Sequence, residues 1–299
     1  MMSGFSRSHA AGLLAGAALL TVTACGSGSA GTAAADGKPE VVAAFYPIQW
    51  LTEQVGGSDA HVTVLTAPGV EPHDLELGIQ QVSELQKAAL TVYIKGVQPA
   101  VDDAVDADKS FDAATAVKTL PSQGGEEHAV SYDPHLWLDP SRLATVATKL
   151  GERLAGADPA HAQAYKDRAT RTASTLGTLD QEFAKGLSAC KTQTLVTSHE
   201  AFGYLADRYG LKQVGITLDP EQEPSPTRIS EVAKLAKSEG VTTIFTESLV
   251  SPKVAEVLAN EVGAKTAVLD PLESKPSGDY LSAMRDNLKT LQTALGCTA

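Results

Sequence analysis

Three of the seven histidines recur in one setting, a short apolar run, then a turn, then the imidazole. They are His73 in Glu71-Pro72-His73-Asp74, His135 in Asp133-Pro134-His135-Leu136 and His199 in Thr197-Ser198-His199-Glu200. A fourth such run ends at Leu269 and is followed at once by Asp270-Pro271. A lone histidine is more often a hydrogen-bonded loop or core residue than a ligand, but three in one context reverse that reading. Three neutral imidazoles with one carboxylate make a donor set suited to zinc, which takes nitrogen at about 2.0–2.1 Å. A set richer in carboxylate leans to manganese, so three imidazoles lean to zinc. His73, His135, His199 and Asp270 are therefore the candidate metal ligands. Pro72 and Pro134 fix the backbone entering two of the histidines, as prolines in ordinary turns also do.

Glu247, in Phe245-Thr246-Glu247-Ser248, also follows an apolar run. It is read as an acceptor that orients an imidazole, because ligating histidines donate their second N–H to a partner. A ligand role or a purely structural one stays open for it. Glu200, Trp137 and Tyr204 read as packing or surface residues beside the site, and His61 and His161 have no such setting. A metal hydrolase would need a coordination position left open for water, and the His-Glu-x-x-His pattern is absent. Capture rather than catalysis is the expectation.

Ligands from separate turns need a scaffold that brings strand ends together. Short runs rich in β-branched residues alternate with stretches of helical period, the pattern of parallel strands joined by crossover helices. The expected strands are Val41–Phe45, His61–Leu65 and Thr91–Ile94, then Thr194–Thr197, Gln213–Ile216, Thr242–Thr246 and Thr266–Leu269. A helix between the second and third should show Ile79, Val82, Leu85 and Ala89 on one face. Asp158-Pro159 reads as a helix start, and the pattern then runs to Leu187. The fold class is α/β: two (β/α) lobes with parallel sheets, joined by one long rigid helix, with the metal site in the interlobe cleft. Boundaries are 40–157 for the N-terminal lobe, 158–188 for the linking helix and 189–299 for the C-terminal lobe. Residues 122–128, Ser-Gln-Gly-Gly-Glu-Glu-His, read as a surface loop.

Arg7 and the apolar run Ala10–Val22, too short to span a bilayer comfortably, form an export signal over residues 1–24. Val22-Thr23-Ala24-Cys25 resembles a lipobox, so Cys25 is the expected lipidation site, with residues 25–39 as a tether. A multi-chain lipid anchor would hold the rest of the chain at the outer face of the cytoplasmic membrane. With Cys25 so used, Cys190 and Cys297 remain of the three cysteines. In an oxidising compartment they are expected to form a disulfide, two buried thiols being the alternative. The net charge of −12 argues against nucleic acid as a partner and suits a cation-collecting surface.

The segments Glu71-Pro72-His73-Asp74-Leu75-Glu76, Asp133-Pro134-His135-Leu136-Trp137-Leu138-Asp139-Pro140, Thr197–Tyr204 and Leu269-Asp270-Pro271-Leu272 resemble the zinc/manganese substrate-binding lipoproteins of ABC importers. The likeness covers nearly all of residues 40–296. It implies that His73, His135, His199 and Asp270 bind the transported ion, zinc with manganese or iron as the rival, a surface adhesin being the further alternative. Its partners would be an importer permease and a metallochaperone, with the receptor itself monomeric. Many zinc members carry a long histidine-rich loop in the first lobe. Residues 122–128 hold only Glu126, Glu127 and His128, so auxiliary collection there is not expected.

Overall fold

The computed structural model describes residues 37–122, 130–220 and 222–298. The export signal, Cys25, most of the tether and residues 123–128 of the surface loop lie outside these.

Four parallel strands, β1 (Glu40–Ala43), β2 (His61–Val64), β3 (Leu90–Tyr93) and β4 (Ser110–Asp112), form one sheet in the order β2-β1-β3-β4. A second parallel sheet repeats that order with β5 (Thr194–Thr197), β6 (Lys212–Gly215), β7 (Thr243–Thr246) and β8 (Lys265–Val268), arranged β6-β5-β7-β8. The central strands of both sheets are runs of Val, Thr, Leu and Phe, whose branched or bulky side chains suit a surface buried on both faces. β4 has no counterpart among the expected strands: it is three residues long and only Phe111 is buried, so it offers no apolar run to read.

The helices are α1 (Tyr46–Gly56), α2 (Ile79–Lys87), α3 (Pro99–Ala104), α4 (Pro140–Ala157), α5 (Ala162–Gly186), α6 (Gly203–Tyr209), α7 (Pro226–Ser238), α8 (Lys253–Val262) and α9 (Tyr280–Leu295). Proline stands in the first turn of α1, α3, α4 and α7, where its missing N–H has no intrahelical acceptor to lose. Asp139 caps α4, accepting from the N–H groups of Ser141 at 2.8 Å and Arg142 at 3.2 Å. Asp279 closes the start of α9 in the same way, and Ser225 that of α7.

The apolar face expected of α2 is largely wrong. Only Leu85 is buried; Ile79, at the first helical position, is 94% exposed, and Ala89 lies beyond the helix end. The helix is nine residues long, so its pattern spans little more than two turns, and Ile79 at the first of them points to solvent. The long helix also starts later than expected, after a separate 3-10 turn over Pro159–His161. In α5 the buried residues Tyr165, Ala169, Thr172, Leu176, Leu179 and Phe183 recur at three and four. That stripe packs on α1 and α4 and then, toward its C-terminal end, on α9. Twenty-five helical residues span about 37 Å at 1.5 Å per residue.

The main hydrophobic core does not stop at a lobe boundary. It runs from Val41, Val42, Phe45 and Trp137 through Leu176 and Phe183 to Phe202, Leu272, Tyr280 and Leu291. A smaller cluster, including Val196, Val232, Ile244 and Leu258, fills the far face of the second sheet. Prying the lobes apart would expose apolar surface at about 25 cal/mol per Å², so the shared core resists wide opening. Cys190 and Cys297 are joined by a disulfide, tying the segment after α5 to the end of α9 across 107 residues. In the chain-entropy account a loop of that size is worth about 4–5 kcal/mol.

Candidate metal centre

His199 lies two residues past β5, fully buried. Glu247 follows β7 immediately and grips it twice: the His199 backbone N–H donates to Oε1 at 3.0 Å, and Nδ1 lies 2.6 Å from Oε2. A carboxylate at Nδ1 holds a proton on that nitrogen, which leaves Nε2, on the other side of the ring, as the nitrogen that a metal ion could take.

His135 does not follow a named strand, contrary to the expected setting. It sits between an isolated bridge, Pro121 to Tyr132, and a 3-10 turn over Leu136–Leu138. Asp133 replaces the strand as its anchor, taking the His135 N–H at 2.9 Å and standing 2.7 Å from Nδ1. The Tyr204 hydroxyl, at the start of α6, donates to the Asp133 carbonyl at 2.6 Å. Gly203 beside it has no room for a Cβ, which would run into the Asp133 carboxylate. A residue of the second lobe thus supports a histidine of the first. His73 follows β2 at a distance, in the segment between β2 and α2, with its N–H on Glu71 Oε1 at 3.3 Å.

The three rings face one another, with centroids 5.3–6.0 Å apart, and their Nε2 atoms converge on one carboxylate. That carboxylate is Glu273: its Oε1 lies 3.3 Å from His73 Nε2, 3.6 Å from His135 Nε2 and 3.7 Å from His199 Nε2. One donor atom from each of His73, His135, His199 and Glu273 lies within 4.8 Å of the others, the sole such group of three or more among the described residues. Asp270 is not in it. Its Oδ1 is taken by the Leu272 N–H at 2.8 Å, so the acid directly after β8 shapes the turn, and the acid three residues later faces the imidazoles. Both follow the same strand, and nothing in Asp270-Pro271-Leu272-Glu273 says which carboxylate turns inward. Leu272 itself has φ 63°, a left-handed conformation costing a bulky residue about 1–2 kcal/mol.

Electrostatics bind the group together. Burial pushes the His199 imidazolium pKa down, but the Glu247 and Glu273 carboxylates outweigh it and raise the value to about 9. Burial likewise disfavours charge on His73, and Glu273 again raises it. Burial would raise Glu273, yet the three imidazoles hold it well below the usual carboxylate range. Glu71, buried and repelled by Glu273, is pushed up to about 7. Two buried atoms in this group, Nε2 of His199 and Oε2 of Glu273, have no hydrogen-bond partner among the described residues. A buried ring nitrogen and a buried carboxylate oxygen left without partners in one donor group fit a cation held there, which would take the place of the proton that the raised His199 otherwise carries. With three nitrogen donors and one oxygen donor, borderline-soft zinc suits the set better than a hard, oxygen-seeking ion.

Residues 41–294 match the family described as zinc-uptake complex component A, periplasmic, ZnuA. The zinc-binding lipoprotein AdcA of Streptococcus pneumoniae is 35% identical over 302 residues, covering 94% of this chain but 60% of its own. The chain therefore spans about three-fifths of that relative's length. The high-affinity zinc uptake system protein ZnuA of Bacillus subtilis is 34% identical, with 93% of this chain and 95% of its own covered. Among solved structures, the laminin-binding protein Lmb of Streptococcus agalactiae, described as bifunctional with adhesin and metal-transporting activity, superposes with a TM-score of 0.79. It is 34% identical and covers 86% of this chain and 99% of its own. Two like-ordered parallel sheets and a match over 41–294 place the chain in the ZnuA family of zinc-uptake components.

Proposed function

We propose that the chain is an extracytoplasmic receptor that captures Zn²⁺ and delivers it to an ABC-type importer, with no catalytic step. The observation that carries this reading is the convergence of three Nε2 atoms and one carboxylate within 4.8 Å, from both lobes. In this reading His73, His135, His199 and Glu273 hold the ion, and Glu247 and Asp133 orient two of the imidazoles. Four protein donors complete a tetrahedral zinc shell, which suits retention, whereas zinc hydrolases keep one position for water. The zinc-binding relatives support zinc over manganese as cargo.

Acylation at Cys25 and a monomeric receptor serving a permease complete the proposal. The first lobe would occupy 40–157, the linking segment 158–188 and the second lobe 189–299. Among the described residues no helix is long and apolar enough to cross a membrane.

The test is zinc and manganese titration of the purified chain against chelators of known affinity, with elemental analysis of the protein as isolated. One tightly held zinc per chain, not displaced by manganese, is the expected outcome. Stoichiometric manganese that zinc cannot replace contradicts the cargo assignment.

A further inference from the structure

We infer that Asp270 and Trp137 are positioning residues that together aim Glu273 at the three imidazoles, an inference that rests on the metal-capture reading. The turn between β8 and Glu273 is held at every residue. The Asp270 N–H donates to Asn287 Oδ1 at 3.0 Å, and Asn287 Nδ2 donates back to the Asp270 carbonyl at 2.6 Å, pinning the strand end to α9. Asp270 Oδ1 then accepts the Leu272 N–H at 2.8 Å, closing a side-chain turn of the kind short polar residues make two positions ahead.

Pro271 presents its carbonyl to the other lobe, where Trp137 Nε1 donates to it at 2.7 Å. Trp137 stands two residues from His135, is fully buried, and has its own carbonyl held by the Tyr280 hydroxyl at 2.6 Å. The indole is thus a direct link between the segment bearing His135 and the turn bearing Glu273. Leu272 is the one non-glycine residue with positive φ among the described residues, and it is fully buried. Such a conformation persists only where the surroundings over-determine it, and the Asp270, Trp137 and Asn287 bonds do so. The reversal at Leu272 is what turns the next side chain, Glu273, back toward His73, His135 and His199.

This explains why the first acid after β8 is not in the donor group: its oxygen builds the turn that places the second. It follows that Asp270 acts through acceptor geometry rather than charge. Asparagine keeps an Oδ1 for the Leu272 N–H, so the turn survives without the charge.

The experiment uses the purified chain with Asp270→Ala, Asp270→Asn, Trp137→Phe and Glu273→Gln. Zinc affinity is measured by chelator competition, and site geometry from the visible spectrum of the cobalt(II)-loaded protein, which reports coordination number. Asp270→Ala and Trp137→Phe should weaken zinc by about 10- to 100-fold and move the cobalt spectrum toward weaker, higher-coordinate absorption. Asp270→Asn should restore affinity to within about threefold and restore the spectrum, the neutral acceptor being only somewhat weaker than the ionised one.

Should Asp270→Ala not fold, Asp270→Asn and Trp137→Phe still decide the matter. Asp270→Asn as damaging as Glu273→Gln would show that the charge itself is needed and overturn the inference. So would wild-type affinity and spectrum in Trp137→Phe. If the unmodified chain takes up no zinc, the functional proposal fails instead, which separates the two.

Discussion

Replacing Glu247 by glutamine changes one oxygen to an NH₂ and leaves the shape intact. The structure dictates that the exchange is not silent. Glu247 faces two donors on one residue, the His199 N–H at 3.0 Å and His199 Nδ1 at 2.6 Å, and an ionised carboxylate accepts both. Glutamine has one acceptor. If its carbonyl faces Nδ1, its NH₂ confronts the backbone N–H, and a buried donor is left unpaired in both the empty and loaded protein. If its NH₂ faces Nδ1 instead, that nitrogen must present its lone pair and the ring proton moves to Nε2, the atom facing Glu273. The first arrangement lowers stability, whereas the second lowers affinity because the amide and the proton must rearrange before the ion is held.

An unpaired buried donor costs about 1–3 kcal/mol. At 1.4 kcal/mol per factor of ten, the second arrangement weakens zinc binding roughly 5- to 150-fold. The first should lower Tm by several degrees, since about 1 kcal/mol corresponds to 2–4 °C in proteins of a few hundred residues. Chelator competition at pH 7.5 and calorimetric melting of the zinc-free protein read the two terms separately. A Glu247→Gln protein with wild-type affinity and wild-type Tm would refute the role given to this pair.

Other consequences are as direct. Glu273→Gln should weaken zinc by at least about tenfold, because it removes the charge on which three Nε2 atoms converge; unchanged affinity would remove Glu273 from the site. Imidazole ligands must be unprotonated, and in the empty site His73 is raised above its ordinary value and His199 to about 9, so zinc affinity should fall as pH drops through about 9 and go on falling into acid; a flat profile from pH 9 to 5 would contradict imidazole ligation. The bidentate bond from Arg208 holds the Asp180 carboxyl below its ordinary value of 3.8. A depressed folded value means this stability is present above 3.8 and lost as pH falls through the lower folded value. Asp180→Asn should therefore be less stable than wild type at neutral pH, with the gap closing below 3.8; a gap that stays constant in denaturant melts down to acid would contradict the assignment. Replacing Cys190 and Cys297 together by alanine should cost about 2–5 kcal/mol in urea unfolding, and no loss would mean the bridge restrains little.

The shared core bears on how a receptor of this build works. Trp137, Phe202, Leu272 and Tyr280 belong to one cluster, and the Trp137–Pro271 bond crosses from lobe to lobe. Loading an ion between such lobes calls for small adjustments near His73, the partly exposed member of the donor group, rather than a wide swing.

Composition and local pattern were enough to define much of this protein. Runs such as Val41-Val42-Ala43 and Thr194-Leu195-Val196-Thr197 read as buried parallel strands because β-branched and apolar residues in short stretches have few other stable environments. The three histidines were legible as a set, and Glu247 as an acceptor beside them, because each type's chemistry is local to the residue. What the sequence could not decide was direction. Whether Asp270 or Glu273 faces the imidazoles depends on a left-handed Leu272 and on an indole 134 residues away, and neither leaves a trace in local spacing. His135 is placed by Asp133 and by Tyr204 across the cleft rather than by a strand. Ile79 followed a helical period yet stands in solvent. Side-chain type is a property of the chain, whereas the direction a side chain takes is set by backbone reversals and by bonds between distant segments, which exist only once both lobes have packed.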